Sequence, residues 1–197
     1  MTGTIVDQYL KGLEERLSEE DKALLSYTEG ATGTQLEQLK ARFPQCPATL
    51  IELLSRINGT YWQPYGDKEV CLLMLGSDVL EYPYYLKSVE QIAGPSLYDG
   101  SINQIYGDDL IEMSGLTGEG IDPDMDIGQW LCFSDCMNNG GTSQLYIDFN
   151  PAPGGVSGQV IRFLHDPDSF EVIARDFDEY LRKLIDNGYN FIHYDED

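Results

Sequence analysis

Basic side chains are scarce in this sequence: 12 lysines and arginines stand against 34 aspartates and glutamates, a formal net charge of −22 over 197 residues. A nucleic-acid footprint needs a basic patch that releases counterions from phosphate, so the charge excludes direct DNA or RNA binding. Attraction to an anionic membrane surface is excluded on the same ground. Long apolar runs are missing too. Nothing approaches the roughly 18 consecutive apolar residues of a membrane span, and the start, MTGTIVDQYLKGLEERL, lacks the basic opening and apolar core of a signal peptide. The expected location is the cytoplasm.

The residues that carry most catalytic and metal chemistry are few. Cys46, Cys71, Cys132 and Cys136 follow no disulfide-framework spacing, and no second cysteine pair or histidine cluster completes a zinc site. They read as buried thiols of a reducing compartment. His165 and His193 are the two histidines; the first stands at a strand end beside Asp166 and reads as structural, the second in a polar tail. Carboxylates are too abundant for any pair to be diagnostic of a glycosidase. Gly154-Gly155-Val156-Ser157-Gly158 is followed by no Lys-Ser or Lys-Thr and lies between strands, so it reads as a hairpin turn and not as a phosphate cradle. The alternating acids of Asp122 to Gly128 imitate a calcium loop, but Ile127 stands where the loop needs glycine and Phe133 where it needs glutamate. No catalytic residue, cofactor or metal is expected.

What the chain has is acid in an uneven distribution. Between Lys87 and Arg162 there is no base, while the interval holds eleven acids, half of the net charge. Asp108, Asp109, Glu112, Glu119, Asp122, Asp124 and Asp126 are the candidate partner-binding residues, and the partner such a field selects is a basic protein; a solvated acidic face that serves only solubility is the other reading.

Ile5, Tyr9, Leu10, Leu13 and Leu17 recur at helical spacing, and Ser18 caps a second short helix, so residues 1–27 form a helical extension. Leu36, Leu39 and Phe43 mark a helix ending before Pro44; Leu50, Leu53, Leu54 and Ile57 mark another, stopped at Asn58-Gly59. VCLLML, residues 70–75, reads as one buried strand, Tyr84 to Leu86 as another, followed by a helix capped at Ser88. Residues from about 96 to 128 predict long loops with one short element around Leu110 to Met113. WLCF, QLYIDF and QVIRFLH are β-like runs joined by glycine-rich turns, EVIA adds a strand, and Phe177, Tyr180, Leu181, Leu184 and Ile185 form a closing helical stripe. The order predicts an α+β fold, with N-terminal helices and a C-terminal helix packed against a mostly antiparallel sheet. Its main domain covers residues 28–189, and residues 190–197 form an acidic tail. Tyr61, Trp62, Tyr65, Tyr82, Tyr84 and Tyr85 read mainly as packing, with an exposed subset able to anchor an interface.

Two stretches, LEQLKARFPQCPATLIELLSRINGT and WLCFSDCMNNGGTSQLYIDFNPAPGGVSGQVIRFLHD, followed by VIARDFDEYLRKL, resemble the SUKH superfamily over roughly Thr28 to Tyr189. That group includes fungal cell-wall-assembly regulators and bacterial immunity proteins. The resemblance implies binding without catalysis: bacterial members hold a cognate toxin, often a nuclease, inactive. An acidic inhibitor of that kind imitates the field of nucleic acid. A non-catalytic scaffold or regulatory interaction module of the same fold is the alternative the resemblance leaves open.

Overall fold

The structure, a computed structural model, describes residues 3–96, 100–107, 115–138 and 141–192. Helix α1 (Ile5–Arg16) opens with a reciprocal cap in which the Thr4 hydroxyl accepts from the Asp7 amide and the Asp7 carboxylate accepts from the Thr4 amide. Ser18 caps α2 (Glu19–Leu25), and Thr32 with Gln35 repeats the reciprocal cap on α3 (Gly33–Arg42). Pro47 leads into α4 (Ala48–Arg56). The helical extension is tied into the main core: Val6, Tyr9 and Leu13 are fully buried in the same apolar cluster as Leu50, Leu53 and Leu54 of α4. The Tyr9 hydroxyl donates to the Met74 carbonyl, and the Tyr189 hydroxyl donates to the Tyr9 carbonyl at 2.9 Å.

Strands β1 (Gln63–Tyr65) and β2 (Lys68–Val70) make a separate antiparallel hairpin. The main sheet has β3 (Leu73–Leu75), β4 (Tyr84–Leu86), β5 (Leu131–Asn138), β6 (Gly141–Asp148), β7 (Gln159–Leu164) and β8 (Ser169–Ala174) in chain order, antiparallel throughout. Short helices α5 (Val89–Ala93) and α6 (Ile102–Tyr106) fall between β4 and β5, and α7 (Phe177–Asp186) follows β8. The α+β architecture is the one the sequence predicts.

Residues 70–75 differ from the expectation of one strand. Val70 closes the small hairpin opposite Gln63, and the Leu72 amide is given to the Thr60 carbonyl at 3.0 Å. Thr60 is also bonded to β4, its amide donating to the Leu86 carbonyl and its hydroxyl accepting from the Leu86 amide. The Asn58–Thr60 segment therefore takes backbone partners a continuous strand would need. Gly59 makes the approach possible: it has φ +91, and a Cβ there would lie 2.5 Å from the Ser88 amide nitrogen.

Alternation gives the sheet two faces. Leu86, Leu131, Phe133, Leu145, Ile147 and Val160 point to one, where α1, α4 and α7 cover them; Phe133 packs edge-on against Phe177 and Tyr180 at centroid distances of 5.3 and 5.6 Å. The opposite face is covered by the long connection between α5 and β5.

Candidate functional site: the loop-covered face

On this second face the cross-strand register aligns Tyr85, Asp135, Gln144, Phe163 and Phe170 in one row, with Cys132, Tyr146 and Ile161 in the next. The connection packs Ile102, Leu116, Ile121 and Ile127 onto the aromatic half of these rows, where Trp130 meets Tyr146 and Phe170 edge-on. Sequence periodicity predicts mostly loop for these residues; α6 and a single turn of 3-10 helix at Ile127–Gln129 are present, and the element expected around Leu110 to Met113 lies outside the described residues.

Backbone bonds fix the connection at three places. The Gly118 amide donates to the Phe170 carbonyl and the Phe170 amide to the Leu116 carbonyl, both at 2.7 Å. Gly120 seats on the β6–β7 turn, its carbonyl accepting from the Ala152 amide and from Gln159 Nε2 at 2.9 Å. The Ile127 amide donates to the Gly100 carbonyl at 3.0 Å. The Gly154–Gly158 stretch is thus a strand-connecting turn with a second use, as the seat of the connection.

The candidate acids divide by role. Asp108, Asp109 and Glu112 lie outside the described residues. Asp122 accepts from the Asp124 amide at 3.0 Å, and Asp126 accepts from the amides of Gly128 and Gly100 at 2.8 and 3.3 Å, so both hold turns. Asp124 accepts from Asn103 Nδ2 at 2.6 Å and Glu119 sits beside Gly154; both are exposed. The alternate carboxylates serve separate amides, and no group of three metal-ligating side chains comes together among the described residues.

Sequence reasoning did not single out the polar centre of this face. Asp135, 1% exposed, accepts from Gln144 Nε2 at 2.9 Å and from the Thr142 hydroxyl, while the Tyr146 hydroxyl donates to Gln144. Lys87, 9% exposed, points to the same place: its Nζ lies 3.8 Å from Asp135 Oδ2 and 3.5 Å from Cys132 Sγ. Lys87, Gln91, Cys132, Gln144 and Tyr146 line a small recess there, with Arg42 at its margin. Burial pushes the Cys132 thiol up, against the pull of Lys87, which favours the protonated form of the thiol. Burial also raises Asp148, against hydrogen bonds from the Asn150 amide and Gln159. The available signal was the alternation of Gln144, Tyr146 and Asp148 in QLYIDF, which looks like a solvent face.

The other base that bounds the acid-only interval is also turned inward, but on the helix-covered face, where it stands opposite Leu145. Arg162, 5% exposed, makes a two-point pair with Asp78 at 2.7 and 2.9 Å and donates to Ser169 Oγ at 2.9 Å. His165 Nδ1 lies 3.1 Å from Asp168 Oδ1, and the Tyr106 hydroxyl donates to that same carboxylate, which ties α6 to the β7–β8 turn.

An antiparallel sheet with helices on one face and an acidic, loop-built cover on the other defines an α+β domain. The chain belongs to the SMI1/KNR4 family (SUKH-1), whose model matches residues 30–183. That family is one of immunity and regulatory domains and is generally non-catalytic. No curated protein matches the chain. No helix among the described residues is long and apolar enough to cross a membrane.

Proposed function

We propose that this chain is a cytoplasmic immunity protein that binds and neutralises a cognate basic toxin, with nucleases the class best suited, through the loop-covered face. One observation carries the reading. Lys87 and Arg162, the bases at either end of the acid-only interval, are both buried and committed to Asp135 and Asp78. Neither of these two bases is therefore free to offset the exposed acids between them, although Arg42 reaches the connection, donating to the Gly128 carbonyl at 3.4 Å. The field of those acids accelerates encounter with a basic partner and weakens with salt.

The test is growth rescue on co-expression with toxin domains encoded beside the gene, followed by affinity at several salt concentrations. Reversing Asp108, Asp109, Glu119 and Asp124 to lysine leaves the turn-holding Asp122 and Asp126 in place. The expected outcome is lost rescue and a flatter salt dependence. Unchanged affinity and salt slope would remove the acidic surface from the interface, and stable capture of many unrelated proteins would favour a scaffold.

A further inference from the structure

The same face carries an aromatic feature that the acidic reading does not use. Trp62 is 58% exposed, and its backbone has φ 51, a left-handed conformation that is strained for a bulky side chain. A tryptophan in water on a strained backbone is doubly unfavourable for the isolated protein. Among the described residues it pairs with no other ring and carries no cation. Tyr61, the preceding residue, packs on Tyr85 at 5.3 Å, and Tyr85 stands directly opposite Asp135 in the sheet. The Tyr61 carbonyl accepts from Gln91 Nε2 at 2.9 Å, which places this corner at the edge of the polar recess. Asp67 and Glu69, on the hairpin that follows Trp62, are exposed, with Lys68 between them 3.8 Å from the Asp67 carboxylate and Glu69 outside that pair.

We infer that Trp62, backed by the Tyr61–Tyr85 pair, is the platform on which the partner lays an arginine side chain. The inference rests on the proposed basic partner and specifies how one of its residues is gripped. Tryptophan offers the strongest aromatic face to a cation, guanidinium stacks on it as ammonium does not, and the surrounding acids favour the same charge. Long-range attraction then belongs to the connection and short-range selection to Trp62, as in interfaces where a few aromatic anchors carry most of the energy.

Octa-arginine and octa-lysine are the probes, equal in charge and different in head group. In the unaltered protein octa-arginine binds about fivefold tighter and saturably shifts the Trp62 indole N–H resonance. Trp62→Leu brings the two peptides to parity, while the Trp130 indole signal, from a buried ring, stays in place and reports an intact fold. Trp62→Gly also loses the preference but raises the unfolding midpoint, because glycine accepts this φ; a tryptophan held there only for packing would give a lower midpoint. Glu119→Lys with Asp124→Lys weakens both peptides alike and keeps their ratio. Parity in the unaltered protein, or a ratio that survives Trp62→Leu, overturns the platform and leaves the immunity reading standing; failure of both peptides to bind overturns both.

Discussion

The two faces of the sheet are covered by different kinds of structure, and the residues beneath them differ accordingly. A helix satisfies its own backbone, so the face under α1, α4 and α7 is mainly apolar, supplied by Leu131, Phe133, Leu145, Ile147 and Val160, with Ser134 and Arg162 as buried polar members in register with Leu145. A loop arrives with unpaired amides and carbonyls. The face under the connection therefore carries polar side chains among its aromatics: Gln159 donates to the Gly120 carbonyl and accepts from the Val156 amide, and Asp148 accepts from Asn150 and Gln159. Buried polarity here is a requirement of the loop cover, and the same cover leaves acids on its outer side.

Matched truncations give the largest test of this contrast. Leu53→Ala, under rigid helices, is expected to cost about 4 kcal/mol, and Leu116→Ala, under the connection, about 2, because a loop collapses into the void more easily. Equal losses in urea unfolding would mean that the two covers are equally rigid. Gly120→Ala comes next at about 3 kcal/mol: Gly120 has φ +81 and a Cβ would lie 2.7 Å from Gly155 Cα. Amide exchange in Val160 to Phe170 should rise in that variant if the connection is seated there.

Lys87→Met leaves Asp135 buried without its cation and is expected to cost about 3 kcal/mol, with Asp135→Asn added to it recovering most of the loss; a larger deficit in the double variant would make the polar centre indispensable in itself. Thr32→Ala removes the α3 cap for about 1 kcal/mol and should leave the connection untouched, as its exchange rates will report. The smallest effect concerns pH. Asp148 is raised by burial, so its contribution to stability is full below the ordinary aspartate pKa and is lost as pH rises through the raised value. Asp148→Asn should flatten that part of the stability curve, and an unaltered curve would show that Asp148 ionises without cost.

The helix-covered half was legible because its signals are local. The caps read at Ser18 and Ser88 form as expected, and the stripe from Phe177 to Leu184 buries the residues its spacing selects, whereas the caps at Thr4 and Thr32 emerge from the structure. The candidate site was legible only in part. Glu119, Asp124 and Asp126 are exposed, as a binding acid must be, but Asp126, like the half-buried Asp122, also holds a turn that composition does not reveal. Gln144 and Asp148 alternate as solvent-facing residues do, and only the folding back of a distant connection buries them. Trp62 was one aromatic among several until its exposure and backbone set it apart.

By itself the sequence determined the fold class, the family and the excess of acid over base, since periodicity, capping and charge are carried by residues close together in the chain. Tertiary structure decided where the acidity acts. Lys87 and Arg162 lie 75 positions apart in the numbering, and nothing in either neighbourhood says that both turn inward. Their burial follows from strand pairing and long-range packing, which bring Asp135 and Asp78 to them and leave the acids of the connection outside.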